Sequence, residues 1–285
     1  MSRGKPEAGN CGAAPRPAAA FQAAKALITN ADDFGFTRDV NAGIVEAHRN
    51  GILTATTLMA NGAAFADAVR LAAENPALDI GCHLMLVQGA STLTGAPLPS
   101  TLAELLRAVA LNRLRIYDEL ASQIRRIMAA GLHPTHLDTH KHTHLLPPVL
   151  DAVARLSEEF SIPWVRRPFD FGSTSVTGRA LRLMGGHFRR VLARHNCRTT
   201  DHFAGFQMTG KFRAPELAAL IRRLPEGTTE FMCHPGHCTA ELKAAPTRLK
   251  ESRETELAAL TSSEVKQALA DAGVELIAYR QASTA

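Results

Sequence analysis

From residue 26 to residue 280, short apolar and β-branched runs alternate with helical patterns, and this alternation constrains the fold more than any other feature. The strand-like runs are 26–30, 53–59, 79–84, the stretch after Thr135, 164–166, 228–233 and 274–279. Helical spacing covers 40–50, 63–74, 102–110, 115–130, 149–160, 178–195, 217–224, 252–260 and 264–270. Thr37 or Asp39 can cap the first helix and Gly51 can stop it, while Thr261-x-x-Glu264 reads as a capping box for the last. Neither a linker nor a repeat interrupts the pattern. The expectation is an α/β chain with a mainly parallel sheet in one domain, residues 25–285, preceded by a disordered Ala-, Pro- and Gly-rich leader over 1–24. Periodicity does not choose between an open sheet and a (β/α) barrel.

Thr135-His136-Leu137-Asp138-Thr139-His140-Lys141-His142-Thr143-His144 is the most unusual stretch. In an extended chain, alternate residues share a face, which would align His136, Asp138, His140, His142 and His144. Imidazole and carboxylate groups cost free energy when buried unpaired. One bonded core histidine is ordinary, but five ligand-type residues in single file point to a metal-centred or acid–base site. From His142 onward the chain is expected to leave the sheet.

Other polar clusters also fall at the C-terminal ends of strand-like runs: Asp32 and Asp33, His83, and His234. In a parallel sheet these ends share one rim, where α/β chemistry is usually built. Two histidines and a carboxylate can hold a metal and leave positions open for water and substrate. Such a metal lowers the pKa of water and polarises a carbonyl, as amide or ester hydrolysis requires. Of the paired aspartates, one can bind metal while the other accepts a proton. His234, apart from the main cluster and before Pro235-Gly236, is the candidate acid. Asp138 reads as an orienting partner for a ligand histidine, His136 as a bonded core residue, and His142 and His144 as rim residues. Residues 88–100, rich in Gly, Pro and Thr, form a loop suited to a lid or substrate wall.

Composition narrows the function further. The chain has 285 residues, 46% hydrophobic and 21% charged, which suits a globular protein with a full core. No apolar run reaches the ~18 residues of a membrane span. The five cysteines include no CxxC pair, so reduced thiols in a cytoplasmic protein are expected. A net charge of +5 with 5% aromatics and no basic–aromatic interleaving argues against nucleic acid as a partner.

Ala31-Asp32-Asp33-Phe34-Gly35, Gly81-Cys82-His83-Leu84, the 136–144 histidine run and His234-Pro235-Gly236 together resemble the YdjC-like carbohydrate deacetylases, over residues 26 to 280. The resemblance implies a deacetylase-type (β/α) barrel, distorted or seven-stranded, that removes acetyl groups from N-acetylated sugars with a divalent metal, zinc or magnesium. By matching position it implies Asp33, His83 and His140 as the metal triad, Asp32 as base and His234 as acid. Asp138, His142, His144 and Arg166 would lie behind the ligands or against substrate. Lys141, Leu145-Leu146-Pro147-Pro148 and Arg166-Arg167-Pro168-Phe169-Asp170 resemble the hopanoid-biosynthesis branch, implying an N-acetylglucosaminyl bacteriohopane lipid as substrate.

The arginines Arg179, Arg182, Arg189, Arg190 and Arg194 alternate with apolar residues in 179–194. That basic amphipathic pattern suits either an ordinary surface helix or peripheral contact with an inner membrane. A homo-oligomer is compatible with the sequence. Three rival functions are a chito-oligosaccharide deacetylase, a two-His-one-carboxylate iron oxygenase, and a non-catalytic sugar- or lipid-binding protein with a structural metal.

Overall fold

The computed structural model describes Met1, residues 25–172 and residues 176–282, with backbone alone for 176–182. The leader expected over 1–24 therefore lies outside the described residues beyond Met1, as do the side chains of Arg179 and Arg182.

The central strand, β1 (Lys25–Phe34), is buried along almost its whole length. One edge pairs with β7 (Gly227–Cys233) from Lys25 to Ala31. The other is divided between β8 (Val274–Leu276), which covers Lys25 to Leu27, and β2 (Ala55–Leu58), which begins at Asn30. Beyond β2 lie β3 (Asp79–Leu84), β4 (His136–Thr139) and β5 (Trp164–Val165), and β6 (His202–Ala204) flanks β7. All pairings are parallel, in the order β5-β4-β3-β2-β1-β7-β6 with β8 off this path. Isolated parallel bridges from Trp164 to Arg198 and from Asp170 to Phe203 draw the outer strands together. The sheet is thus a curled half-barrel of seven strands in series, with the eighth, β8, beside β1: a distorted (β/α) barrel.

The helices are α1 (Arg38–Asn50), α2 (Phe65–Glu74), α3 (Leu102–Ala110), α4 (Ile116–Ala129), α5 (Pro147–Glu159), α6 (Val176–Arg194), α7 (Ala214–Arg222), α8 (Ala240–Ala244), α9 (Glu251–Thr261) and α10 (Ser263–Ala272). Thr37 caps α1 by accepting the Val40 N–H at 3.2 Å, and the helix buries Ile44, Val45 and Ala47 against the sheet. Fully burying a side chain of this size contributes roughly 1.5–3 kcal/mol. One main apolar cluster runs from Leu27 and Phe231 in the sheet to Leu217, Leu257 and Leu260 in the helices. Cys82 and Cys233 are buried in this cluster as packing residues, and burial pushes both thiols up.

Several expectations need correction. β4 stops at Thr139, and His140–Leu145 form a 3-10 turn in which Lys141 and His142 have φ of 54° and 51°. These left-handed residues break the alternation, so the five ligand-type residues do not share a face. β1 does not end before Asp32 but runs through both aspartates. α10 is capped by Ser262, which accepts the Val265 N–H at 3.2 Å. Thr261 closes α9 instead, its hydroxyl spent on the Leu257 carbonyl at 2.9 Å. β6 and α8, of three and five residues, are too short for periodicity to mark them.

In α6, Phe188, Val191 and Leu192 pack inward while Arg189, Arg190 and Arg194 face outward, as in an ordinary surface helix. Among the described residues no helix is long and apolar enough to cross a membrane.

Candidate active site

Asp32 and Asp33 are adjacent, and regular strand geometry would send them to opposite faces. A bulge prevents this. Pairing with β2 passes from Ala31–Thr56 directly to Phe34–Leu58, so two residues of β1 oppose the single Thr57. Asp33 takes a left-handed φ of 70°, and both carboxylates come to line a cleft of about 740 Å³. His83 near the end of β3, His140 just after β4 and His234 just after β7 line the same cleft.

Asp33 Oδ1 is 3.4 Å from both His83 Nε2 and His140 Nδ1, and these nitrogens are 3.2 Å apart. Oδ1 is buried and has no hydrogen-bond partner among the described residues. Tetrahedral ligands about 2.1 Å from a zinc ion stand about 3.4 Å from one another, so the three atoms fit a divalent cation. A second cluster, Asp32, His83 and Asp138, fits less well. There His83 Nδ1 is spent on Asp138, and both carboxylates are held by the Arg166 guanidinium.

Behind the rim, the barrel interior holds a connected polar network. Asp138 Oδ1 accepts from His83 Nδ1 at 2.7 Å, and Asp138 Oδ2 accepts from Thr57 Oγ1 at 3.1 Å. Arg166, fully buried just after β5, donates to both Asp32 oxygens at 2.9 and 2.7 Å. It also donates to Asp138 at 2.6 Å and to Glu230 at 2.6 Å. Asn30 links Asp32 at 3.2 Å to His136 Nε2 at 2.8 Å. Burying charges is costly, and this network offsets the cost by satisfying nearly every member.

The electrostatics follow from these contacts. Burial opposes ionisation of Asp32 and Asp33, but Arg166 on the first and Arg253 on the second hold both carboxyls well below the ordinary range. Burial works against protonation of His83, yet Asp138 and Asp32 outweigh it and raise the imidazole to about 10. His234 is lowered to about 4, because burial outweighs the attraction of Asp32 and Asp33. Its Nε2 lies 3.8 Å from Asp32 Oδ2.

The profile of the family described as YdjC-like protein matches residues 26–271. The chain belongs to the YdjC-like family. Among its relatives, a carbohydrate deacetylase of Brevibacillus brevis is 34% identical over 261 residues, 90% of this chain and 98% of the relative. A carbohydrate deacetylase of Geobacillus stearothermophilus is also 34% identical, over 89% and 96% of the two chains. The crystal structure of an Enterococcus faecalis protein, assigned to cellobiose-phosphate cleavage, superposes with a TM-score of 0.72 at 25% identity, covering 91% of this chain and 99% of that one.

The remaining histidines of this YdjC-like chain have different places. His136 is buried, stacked on Tyr279 at 3.9 Å, and bonded to Asn30 and Thr135. Gly81 makes room for it, since a Cβ there would lie 2.5 Å from the ring. His144 is buried and ties the 3-10 turn down, with Nδ1 on Thr139 at 2.5 Å and Nε2 on the Arg166 carbonyl at 3.1 Å. His142 lines the cleft beside Phe206, at a ring distance of 5.1 Å. His237 sits at the surface against Glu46 at 3.1 Å, whereas Cys238 is buried.

Glu230, Arg253 and Glu256 were not anticipated. Arg253 Nη2 donates to Asp33 Oδ2, and Glu256 accepts the backbone N–H groups of His234 and Gly210. One signal was available in the sequence: Arg253 and Glu256 share helical spacing with Leu257 and Leu260, so they fall on the apolar face of α9. The 88–100 loop is latched to α4 by Glu119, which accepts from Ser91 and from the Thr92 N–H at 3.0 Å. Gln88 and Gly89 line the cleft at its near end.

Proposed function

We propose that the chain is a metal-dependent carbohydrate N-deacetylase, with residues 25–285 as one catalytic domain. The observation that carries this reading is the convergence of Asp33, His83 and His140 on one point, with Asp32 and His234 beside it in the same cleft. The deacetylase relatives, matched over nearly their whole length, support the same reaction. Asp33 Oδ1, His83 Nε2 and His140 Nδ1 would hold the ion. When bound, it supplies Lewis-acid polarisation of the acyl oxygen and makes a nearby water more acidic.

The chain's own residues do the rest. Asp32, kept ionised by Arg166, accepts a proton from the water that attacks the acetyl carbon. As the C–N bond breaks, the nitrogen takes a proton from the His234 side of the cleft. His234 is neutral at rest, and negative charge developing beside it raises its affinity for a proton. The proton that Asp32 took from the water first passes to His234 across the 3.8 Å between them, and the imidazolium so formed is the group that protonates the departing nitrogen. The balance is one water consumed, with acetate and a free amine formed.

The finer reading is a lipid-linked amino sugar, N-acetylglucosaminyl bacteriohopane lipid, handled in the cytoplasm or at the inner membrane face. Apolar cleft residues Phe36, Met59, Met85, Met232 and Leu249 support an apolar portion on the substrate. Exposed Leu183 and Met184 on α6 suit contact with a lipid surface. The test is acetate release from that lipid and from N,N′-diacetylchitobiose, by protein stripped of metal and then reloaded. Metal-restored release from the lipid alone supports the full reading. Release from chitobiose alone keeps the reaction and removes the lipid. Release from neither, with metal bound, replaces the enzyme by a binding protein.

A further inference from the structure

The two charged residues buried on the inward face of α9 have no ion pair with each other among the described contacts; Arg253 pairs with Asp33, and Glu256 accepts the His234 backbone N–H. We propose that α9 is the positioning element of the site, Arg253 setting the presentation of Asp33 and Glu256 that of His234; this rests on the deacetylase reading.

Arg253 and Glu256 stand three residues apart, on one helical face, and each is about 1% exposed. Arg253 Nη2 bonds Asp33 Oδ2, which leaves Oδ1 as the oxygen turned toward His83 and His140. Arg253 Nε is anchored on the Leu249 carbonyl at 3.3 Å, which fixes the guanidinium plane. Gly236 lets the stem pass, because a Cβ there would lie 3.2 Å from Arg253 Cδ. The Gly236 N–H in turn bonds the Arg253 carbonyl at 3.3 Å, so the turn after His234 is tied to the same helical residue.

Glu256 works on the backbone. Its Oε2 accepts from His234 N at 2.6 Å and its Oε1 from Gly210 N at 2.6 Å. A carboxylate has two acceptors for two converging N–H groups, whereas an amide would turn its own NH₂ against one of them. Glu256 does not line the cleft, but His234 and Thr209 do. It therefore acts through His234, by holding the segment from which the imidazole reaches toward Asp32.

A leaving-group comparison separates positioning from simple stability. The amine of N,N′-diacetylchitobiose needs a proton to depart, and the 4-nitrophenolate of 4-nitrophenyl acetate does not. Glu256→Gln is expected to lower kcat on the chitobiose about 10- to 100-fold with KM unchanged, and to change ester turnover less than about threefold. His234→Ala should give the same pattern more strongly. Equal losses on both probes overturn the Glu256 role. If Glu256→Gln does not fold, Glu256→Asp, which keeps both acceptors on a shorter stem, is judged by the same ratio.

Arg253→Lys keeps the charge and loses the fork. Zinc affinity of the metal-stripped protein, read by competition with a chromogenic chelator, is expected to fall about tenfold or more. Unchanged zinc affinity overturns the Arg253 role. Where the lipid-linked sugar alone is turned over, it replaces the chitobiose as the amide probe; wild-type protein that binds zinc but releases acetate from neither amide removes the deacetylase reading, and the Glu256 role with it. The zinc titration still decides Arg253.

Discussion

Asp138 accepts from His83 Nδ1 at 2.7 Å and so leaves Nε2 as the nitrogen that faces Asp33 and His140. A carboxylate behind a ligand histidine fixes the ring and raises its basicity. Asp138→Asn keeps the shape and removes the charge. Zinc affinity is expected to fall about 10- to 100-fold in a chelator competition; an unchanged constant would contradict the proposed ligand set.

Arg166 is shared by three buried carboxylates, Asp32, Asp138 and Glu230, each within hydrogen-bond distance of its guanidinium. Removing one partner of a buried ion pair costs more than the pair contributes, because the other charge stays desolvated. Arg166→Met should destabilise the fold by about 3–5 kcal/mol in urea unfolding. A loss under about 1 kcal/mol would mean that the carboxylates find other partners.

Asp32 touches Arg166 and Asn30 and lies outside the Asp33–His83–His140 triangle. Asp32→Asn is therefore expected to lower acetate release about 10²- to 10⁴-fold while zinc still binds at one equivalent. Full activity in this variant would favour a different base. Loss of zinc would place Asp32 among the ligands.

Acid stability has a sign that follows from burial. Burial holds His136 and His142 well below their ordinary value, His144 at about 3 and His234 at about 4, so all four are neutral in the native protein near pH 5.5. Unfolded histidines titrate near 6.5, so unfolding takes up about four protons there. Two carboxyls oppose this: burial raises Glu256 to about 7 and pushes Glu230 up as well, so each tends to release a proton on unfolding. The histidines outnumber them, the net is proton uptake, and metal-free stability should fall as pH drops from 6.5 to 5. Urea midpoints at the two pH values measure this, and a midpoint that rises on acidification would contradict it.

Much of the site was readable because its donors sit at strand ends. His83, Asp32 and His234 were found by asking where short apolar runs stop at polar residues. The histidine run, expected to extend as a strand up to His142, already leaves the sheet at His140, and of its later histidines His140 and His142 line the cleft. Alternation holds only while the backbone is extended, and Lys141 and His142 leave that region. His144 shows the consequence: it faces the Arg166 carbonyl behind the rim rather than the cleft.

The sequence by itself determined the parallel α/β architecture and the rim on which the chemistry gathers, because both rest on local periodicity and on residue types that are costly to bury. Tertiary structure decided how those residues are used. The bulge that turns Asp32 and Asp33 into one cleft depends on pairing with β2, and the counter-charges come from Arg166 and Arg253, 134 and 220 residues away. Such contacts leave no period in the chain. They exist only once the sheet has curled and α9 has packed against it, when low-dielectric burial makes every carboxylate require a partner.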